Sequence, residues 1–160
     1  MKDYNYSKMA SYYDILEKHD GIEALNQILH DILTRHGCKK VHDATCGTGW
    51  QIDFLYKLDY QVTASDINEE MISIARKKLP NIEITKQDLR TLEIESSDAI
   101  ITIFNAIGHL QPQDFKTALE RIYGCLPKGG IYIFDIFNAG FLDKNFIDYE
   151  FIDRAVEHKE

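Results

Sequence analysis

The chain has 160 residues, of which 44% are hydrophobic, and a formal net charge of −8. This length and composition predict one domain with one hydrophobic core. The negative charge disfavours nucleic acid as a partner, because such binding depends on clustered lysine and arginine. No apolar run approaches the ~20 residues of a membrane span, and Met1 leads into a polar, tyrosine-rich stretch unlike a signal or transit peptide. We therefore expect a cytoplasmic protein.

The cysteines give no sign of a disulfide framework or a metal centre. Cys38, Cys46 and Cys125 are odd in number and show no C-x-x-C spacing. Disulfide scaffolds and zinc sites both depend on paired, regularly spaced cysteines. We accordingly expect free thiols and no metal ligands.

Helix-like and strand-like segments alternate along the chain. A first helix is predicted from Asp20 and Gly21 to Gly37, because apolar residues recur between them at helical spacing. Further helices are predicted near residues 49–58, 69–78 and 113–126, and strands at 40–44, 61–65, 82–85, 99–104 and 131–135. Several strands are apolar without alternation, which is typical of a parallel sheet covered on both faces. This order predicts a doubly wound, Rossmann-like α/β fold with right-handed crossovers.

Small residues follow the first predicted strand, in the sequence D-A-T-C-G-T-G at residues 43–49. In open α/β sheets, ligands bind beyond the carboxyl ends of the strands. Gly47 and Gly49 allow positive φ or a close approach of a ligand to the backbone. The helix that follows offers unpaired amides to an anionic group.

Two aspartates end the next two strands. Asp66 can accept hydrogen bonds from both ribose hydroxyls, and Asp88 is placed to meet the exocyclic amine of an adenine. Each of them alone is commonly a turn former or an N-cap. Together with the glycines, at the ends of three successive strands, they predict a nucleoside pocket. A dinucleotide is disfavoured, because Ile52 stands where G-x-G-x-x-G needs its third glycine.

The motif D-A-T-C-G-T-G resembles the first motif of class I S-adenosylmethionine-dependent methyltransferases, which usually has a glycine at the position of Thr45. The stretches A-S-D-I-N-E-E-M-I-S-I-A-R-K-K, Q-D-L and L-P-K-G-G-I-Y-I-F-D resemble later motifs of the same family. F-N-A-I-G-H-L and D-I-F-N are most similar to small-molecule N-methyltransferases of the glycine and sarcosine type. The resemblance implies a class I methyltransferase core with S-adenosyl-L-methionine as the cofactor and S-adenosyl-L-homocysteine as the product.

The resemblance also implies the cofactor contacts. The glycine-rich loop would meet the methionine part, Asp66 the ribose, Ile67 the adenine face, and Asp88 with Leu89 the adenine edge. The Ile103 carbonyl would face the cofactor's ammonium group. Trp50 is expected to pack at a helix start, and for His109 a cofactor contact and a purely structural role are both open. The full set of expected cofactor-binding residues is Tyr6, Tyr13, Asp43, Ala44, Thr45, Cys46, Gly47, Gly49, Asp66, Ile67, Met71, Asp88, Leu89, Ile103, Phe104 and His109.

The terminal segments divide the single expected domain, residues 1–160, into three parts. Residues 1–20 resemble a lid, in which Tyr6 and Tyr13 would wall off the transfer site; residues 21–137 form the cofactor-binding core, and residues 138–160 begin a cap or C-terminal extension. Asn105 and Tyr13 are expected to orient the acceptor. Phe137 replaces an arginine that pairs with the substrate carboxylate in the glycine-type enzymes, which disfavours glycine as the acceptor.

The function expected from this resemblance is methyl transfer to a small-molecule acceptor, an amine, by direct displacement. One alternative is a cofactor-binding module, or a truncated domain, without catalysis of its own. An NAD(P)-dependent reductase is less favoured because of Ile52. The last two strands of the family fold have no clear counterpart in the sequence, so the fifth strand is expected to leave an exposed edge, through which two chains could form a homodimer.

Overall fold

A computed structural model describes residues 20–137 of the chain. Five parallel strands form one sheet in the order β3-β2-β1-β4-β5. The strands are β1 (Lys40–Asp43), β2 (Gln61–Asp66), β3 (Glu83–Lys86), β4 (Ala99–Thr102) and β5 (Ile131–Phe134). The helices are α1 (Asp20–Arg35), α2 (Trp50–Lys57), α3 (Glu69–Lys78) and α4 (Pro112–Cys125), with short 3₁₀ helices at Leu89–Thr91 and Ile107–His109.

The helices cover both faces of the sheet, and each contributes an apolar stripe. On one face, Leu33 of α1 and Leu55 of α2 pack with Val41 of β1, while α3 packs beside them against β2 and β3. On the opposite face, Ile122 of α4 packs with Ile100 of β4. This arrangement confirms the predicted doubly wound α/β fold and explains why the strands lack apolar–polar alternation.

Local signals set the helix ends. The side chain of Asn68 caps α3 by accepting a hydrogen bond from the Met71 amide at 3.0 Å. The last turn of α3 is basic, which suits the negative end of the helix dipole, and the Arg76 guanidinium donates to the Ile84 carbonyl on β3. Pro112 begins α4, where its missing N–H has no helical partner to lose.

The predicted elements all exist within the described residues, with bounds that differ by one or two positions. The first helix, expected to run to Gly37, ends at Arg35, and β4, expected to reach Phe104, ends at Thr102. The strand ends early because Phe104 and Asn105 adopt left-handed φ values of 62° and 55°, which no strand can contain. None of the described helices is long and apolar enough to cross a membrane.

Candidate functional site

A cavity of about 340 Å³ lies at the carboxyl ends of β1, β2, β3 and β4, where open α/β sheets bind ligands. Twelve of the residues expected from the sequence line it: Ala44, Thr45, Cys46, Gly47, Asp66, Ile67, Met71, Asp88, Leu89, Ile103, Phe104 and His109. Three more, Asp43, Gly49 and Asn105, lie beside the cavity without lining it. The expected lid residues Tyr6 and Tyr13 fall outside the described part of the chain.

The loop after β1 forms the floor of the cavity. Gly47 and Gly49 both have positive φ, 51° and 96°, so the left-handed turns cost little here. A Cβ on Gly49 would approach Leu79 Cδ1 to 2.9 Å. The second glycine therefore allows the start of α2 to pack closely against the end of α3, whereas we had expected it to touch the ligand.

Asp43, the last residue of β1, stabilises this loop through a hydrogen bond to its backbone. Its carboxylate is buried and accepts a hydrogen bond from the Thr45 amide at 3.0 Å. Burial raises the pKa of Asp43 to about 7, and the nearby charge of Asp66 contributes in the same direction. Asp43 thus shapes the loop and does not itself line the cavity.

Thr45 occupies the position where the family usually has glycine, yet it needs no left-handed backbone. Asp59, Phe104 and Asn105 are the non-glycine residues with positive φ in the described chain. The Thr45 hydroxyl is buried and has no hydrogen-bond partner within that part of the chain. Such an unpartnered group costs about 1–3 kcal/mol.

Asp66 joins the end of β2 to the floor of the cavity. Its two carboxylate oxygens accept hydrogen bonds from the amides of Gly47 and Asn68, each at 2.8 Å. Burial raises the pKa of Asp66, against the lowering effect of the backbone amides. Beside it, the Ile67 side chain is 59% exposed and offers an apolar surface at the cavity mouth.

Asp88 lines the cavity at the end of β3 and also serves as the cap that its sequence position permits. Its carboxylate accepts from the Arg90 amide at 2.9 Å and pairs with the Arg90 guanidinium. This pairing lowers the pKa of Asp88, which therefore stays ionised. Leu89 next to it is buried.

The wall after β4 is built from strained residues. Phe104 and Asn105 are both left-handed, a conformation that costs about 1–3 kcal/mol per residue. The Asn105 amide donates to Asp135 Oδ1 at 3.0 Å, and the Phe137 amide donates to Asn105 Oδ1 at 3.1 Å. His109 lies on the rim of this wall, where partial burial lowers its pKa.

Sequence reasoning missed several lining residues. Trp50 was expected only to pack at the helix start, but it also lines the cavity, and the Lys78 ammonium lies 5.6 Å from its ring centroid. Its position directly after the Gly49 turn, at the end of the glycine-rich loop, could have predicted that it lines the cavity. The other lining residues that we had not named are Thr48, Gln51, Asn68, Gln87, Ala106 and Leu110.

A larger groove of about 770 Å³ lies elsewhere, over β2 and β3 beside α4. Its floor contains His42, whose ring nitrogens bond the hydroxyls of Thr63 and Ser65 at 2.8 and 3.0 Å. Burial lowers the pKa of His42 to about 4, so the ring is neutral at physiological pH. These bonds fully occupy the ring, and the groove lies away from the glycine turn.

Residues 41–130 match the model of a protein family described as "Methyltransferase domain". The chain belongs to this family. The match begins in β1 and ends just before β5, so it contains the glycine-rich loop and all four strand ends around the cavity. The resemblance seen in the sequence is confirmed at the level of the family.

Curated relatives of this methyltransferase domain include enzymes named for small substrates. It is 30% identical over 152 residues to a Geobacillus sp. (strain WCH70) protein named "Putative methyltransferase", covering 89% of this chain and 62% of the relative. Glycine N-methyltransferase of Rattus norvegicus is 27% identical (69% and 44% covered). The dTDP-3-amino-3,6-dideoxy-alpha-D-glucopyranose N,N-dimethyltransferase of Streptomyces fradiae is 28% identical (82% and 54% covered).

Solved methyltransferases share the fold of this domain. An S-adenosylmethionine-dependent methyltransferase from Clostridium acetobutylicum superimposes with a TM-score of 0.70 at 25% identity, over 82% of this chain and 57% of that one. The chain therefore spans less than two thirds of the length of these relatives. The class I fold expected from the sequence is confirmed.

S-adenosylmethionine is the cofactor of this family, and the cavity has features that suit it. The turn at Gly47 has no Cβ over the floor, and a Cβ there would meet open space. The Asp66 carboxylate lines the cavity and suits a pair of hydroxyl donors, while Ile67 and Leu89 offer apolar surface to a base. Ile52 stands at the position of the third glycine of the dinucleotide motif and is fully buried in the core. The close helix-to-strand packing that this glycine permits in dinucleotide-binding proteins is therefore absent at this position.

Proposed function

We propose that this methyltransferase domain binds S-adenosyl-L-methionine in the 340 Å³ cavity and transfers its methyl group to a small-molecule amine. The observation that supports this most is the meeting of the Gly47 turn and the Asp66 carboxylate in a single lined cavity at the strand ends. A polar floor and apolar sides match the two halves of a nucleoside cofactor with an amino-acid tail.

We assign the cofactor contacts by the same reasoning. Asp66 would hold the ribose, and Ile67 would cover one face of the adenine. Asp88 and Leu89 would meet the adenine edge, although Arg90 already donates to both oxygens of the Asp88 carboxylate. The carbonyl of Ile103 would accept from the ammonium group of the methionine part.

Further cofactor contacts would come from both sides of the cavity. Ala44 to Gly47 would contact the methionine part through the backbone, Met71 and Phe104 would fill the apolar sides, and His109 would lie at the rim. Tyr6 and Tyr13 would complete the pocket from the lid. Aromatic faces there would attract a sulfonium and exclude water.

When bound, the sulfonium supplies an activated methyl group, so the protein's main task is to orient the acceptor lone pair toward it. We propose Asn105 and Tyr13 for this orientation and assign no general base. The Oδ1 atom of Asn105 is engaged by the Phe137 amide at 3.1 Å, so its side-chain N–H groups would donate to a polar oxygen of the substrate, which leaves the amine lone pair free to attack the methyl group. Phe137 in place of an arginine favours an acceptor that is larger or less charged than glycine.

Calorimetry tests the cofactor assignment. We expect S-adenosylhomocysteine to bind with micromolar affinity and NADH not to bind. Asp31→Ala, on the exposed side of α1, is the control and should bind like the wild type. Binding of NADH without S-adenosylhomocysteine would overturn the methyltransferase proposal in favour of a reductase.

A second assay separates an enzyme from a binding module. Labelled S-adenosylmethionine is incubated with amino sugars, aliphatic amines and glycine, and methylated product is counted. We expect turnover of an amine other than glycine. Binding of S-adenosylhomocysteine without transfer to any of these acceptors would favour a cofactor-binding module over an enzyme.

We also propose that the edge of β5 pairs with another strand, in a homodimer. Within the described residues β5 pairs only with β4, and Phe134 and Ile136 nearby are 43% and 55% exposed. Such an edge invites pairing. Light scattering coupled to size exclusion should show twice the chain mass, whereas a monomer at all concentrations would contradict the homodimer.

A further inference from the structure

The wall of the cavity after β4 contains two left-handed residues, and neither is glycine. Phe104 and Asn105 have φ values of 62° and 55°, and the cavity is lined by their neighbours Ile103 and Ala106 as well as by Phe104 itself. Asparagine adopts this conformation more readily than most residues, but phenylalanine does not favour it. Some other part of the fold must therefore hold it.

Two contacts from the end of β5 supply that hold. Asp135 Oδ1 accepts from the Asn105 amide at 3.0 Å, and the Asn105 side chain in turn accepts from the Phe137 amide at 3.1 Å. The two bonds run in opposite directions between the same pair of segments, so they fix both the position and the tilt of the turn. A carboxylate acceptor strengthens the first of them.

Gly108 closes the turn from the other side. Its amide donates to the Asn105 carbonyl at 2.9 Å. A Cβ at this position would lie 2.2 Å from Asn105 Oδ1 and 2.8 Å from Asn105 Cγ. The Asn105 side chain could avoid that collision only by rotating away, which would break its hydrogen bond from the Phe137 backbone N–H.

We propose that Asp135 and Gly108 are positioning residues for the cofactor cavity: together they fix the left-handed turn at Phe104 and Asn105, and so set the wall formed by residues 103–110. Neither residue lines the cavity, so they act through the turn and not on a ligand. The proposal rests on the proposed function for its ligand, but the bracing itself is a property of the ligand-free fold.

Amide hydrogen exchange and calorimetry test the role of Asp135. In Asp135→Ala we expect exchange at the Asn105 amide to accelerate at least tenfold and S-adenosylhomocysteine affinity to fall at least tenfold. Asp135→Asn keeps an acceptor oxygen and should stay within threefold of the wild type in both measurements. Wild-type affinity in a folded Asp135→Ala variant would overturn the proposal.

Gly108 gives a second test that does not depend on Asp135. Gly108→Ala should weaken S-adenosylhomocysteine binding at least tenfold. In the Asn105→Gly background the same Gly108→Ala substitution should change binding by less than threefold, because glycine accepts the left-handed φ and leaves no side chain for the new Cβ to meet. Gly124→Ala on α4, where a Cβ would meet nothing within 4 Å, is the matched control. A tenfold loss from Gly108→Ala in both backgrounds would overturn the role of Gly108.

The same measurements separate this proposal from the proposed function. If the wild type binds no S-adenosylhomocysteine, the cofactor assignment fails. In that case exchange at the Asn105 amide decides the brace alone: acceleration in Asp135→Ala supports it, and unchanged exchange overturns it.

Discussion

Two parts of the cavity, the floor after β1 and the wall after β4, are stabilised in different ways. The floor after β1 uses glycine for its left-handed positions, and its polar contacts are local to the ends of β1 and β2. The wall after β4 places Phe104 and Asn105 in the same region of φ and holds them with contacts about thirty residues away, at the end of β5. The backbone conformation of the floor is therefore favoured by its own glycines, whereas that of the β4 wall depends on hydrogen bonds from the end of β5.

This difference matters for function, because the two walls would meet different parts of the reaction. The floor offers backbone and the Asp66 carboxylate, which suit a cofactor common to the whole family. The β4 wall carries Asn105 and lies beside Phe137, the positions that we connect with the acceptor. Because residues at the end of β5 hold the β4 wall, substitutions there can change the shape of this wall without changing the floor.

The largest expected effect tests the buried carboxylate under the floor. Asp43 has a pKa near 7 in the folded protein, above its ordinary unfolded value. The native state therefore binds the proton more tightly, and stability falls as the pH rises from about 4 to about 7. Relative to Asp43→Asn, the free energy of unfolding of the wild type should fall by up to about 4 kcal/mol across that window.

Urea unfolding of both proteins between pH 4 and pH 8 measures this difference. The asparagine keeps an oxygen to accept from the Thr45 amide, so the loop should retain its hydrogen bond. A gap between wild type and variant that does not change with pH would contradict the raised pKa.

A smaller effect is expected at Asp66. Asp66→Ala removes the acceptor of the Gly47 and Asn68 amides and leaves the ribose hydroxyls unpaired. We expect S-adenosylhomocysteine binding to weaken by about 1–3 kcal/mol, measured by calorimetry. Unchanged affinity in a folded variant would refute the ribose assignment and weaken the view of the floor as the cofactor wall.

Thr45 has a buried hydroxyl without a hydrogen-bond partner in the described part of the chain, which is unfavourable for stability. Thr45→Val replaces its unpartnered hydroxyl with a methyl group of similar size. The free energy of unfolding of the ligand-free protein should rise by about 1 kcal/mol. Thr117→Val, on α4, is the comparison variant: its hydroxyl donates to the Gln113 carbonyl at 3.2 Å, so this substitution should give no gain in stability. A loss of stability in Thr45→Val would show that the hydroxyl has a partner.

The smallest effect compares left-handed residues inside and outside the site. Asp59 has φ 62° and is exposed just after α2, so Asp59→Gly should stabilise the protein by about 0.5 kcal/mol. Asn105→Gly relieves a similar strain but loses the bond to the Phe137 amide, worth about 1 kcal/mol. It should therefore give no gain in urea unfolding. Equal gains at both positions would break the contrast between the two walls.

The sequence carried enough information for the floor and much less for the β4 wall. Glycines, strand-end aspartates and apolar periods are local signals, so the five strands, the Gly47 turn and the places of Asp66 and Asp88 were predictable. Asparagine tolerates left-handed backbone, but phenylalanine gives no sign of it, which is why β4 was expected to continue to Phe104. That conformation depends on Asp135, and no local pattern connects residues so far apart.

Trp50 has a practical consequence. It is the single tryptophan of the chain, it lines the cavity, and the Lys78 ammonium lies 5.6 Å from its ring centroid. Its indole emission therefore reports from one known place, and a ligand that displaces water there should shift that emission. The protein carries a built-in optical probe, with which candidate cofactors and acceptors can be titrated without labels.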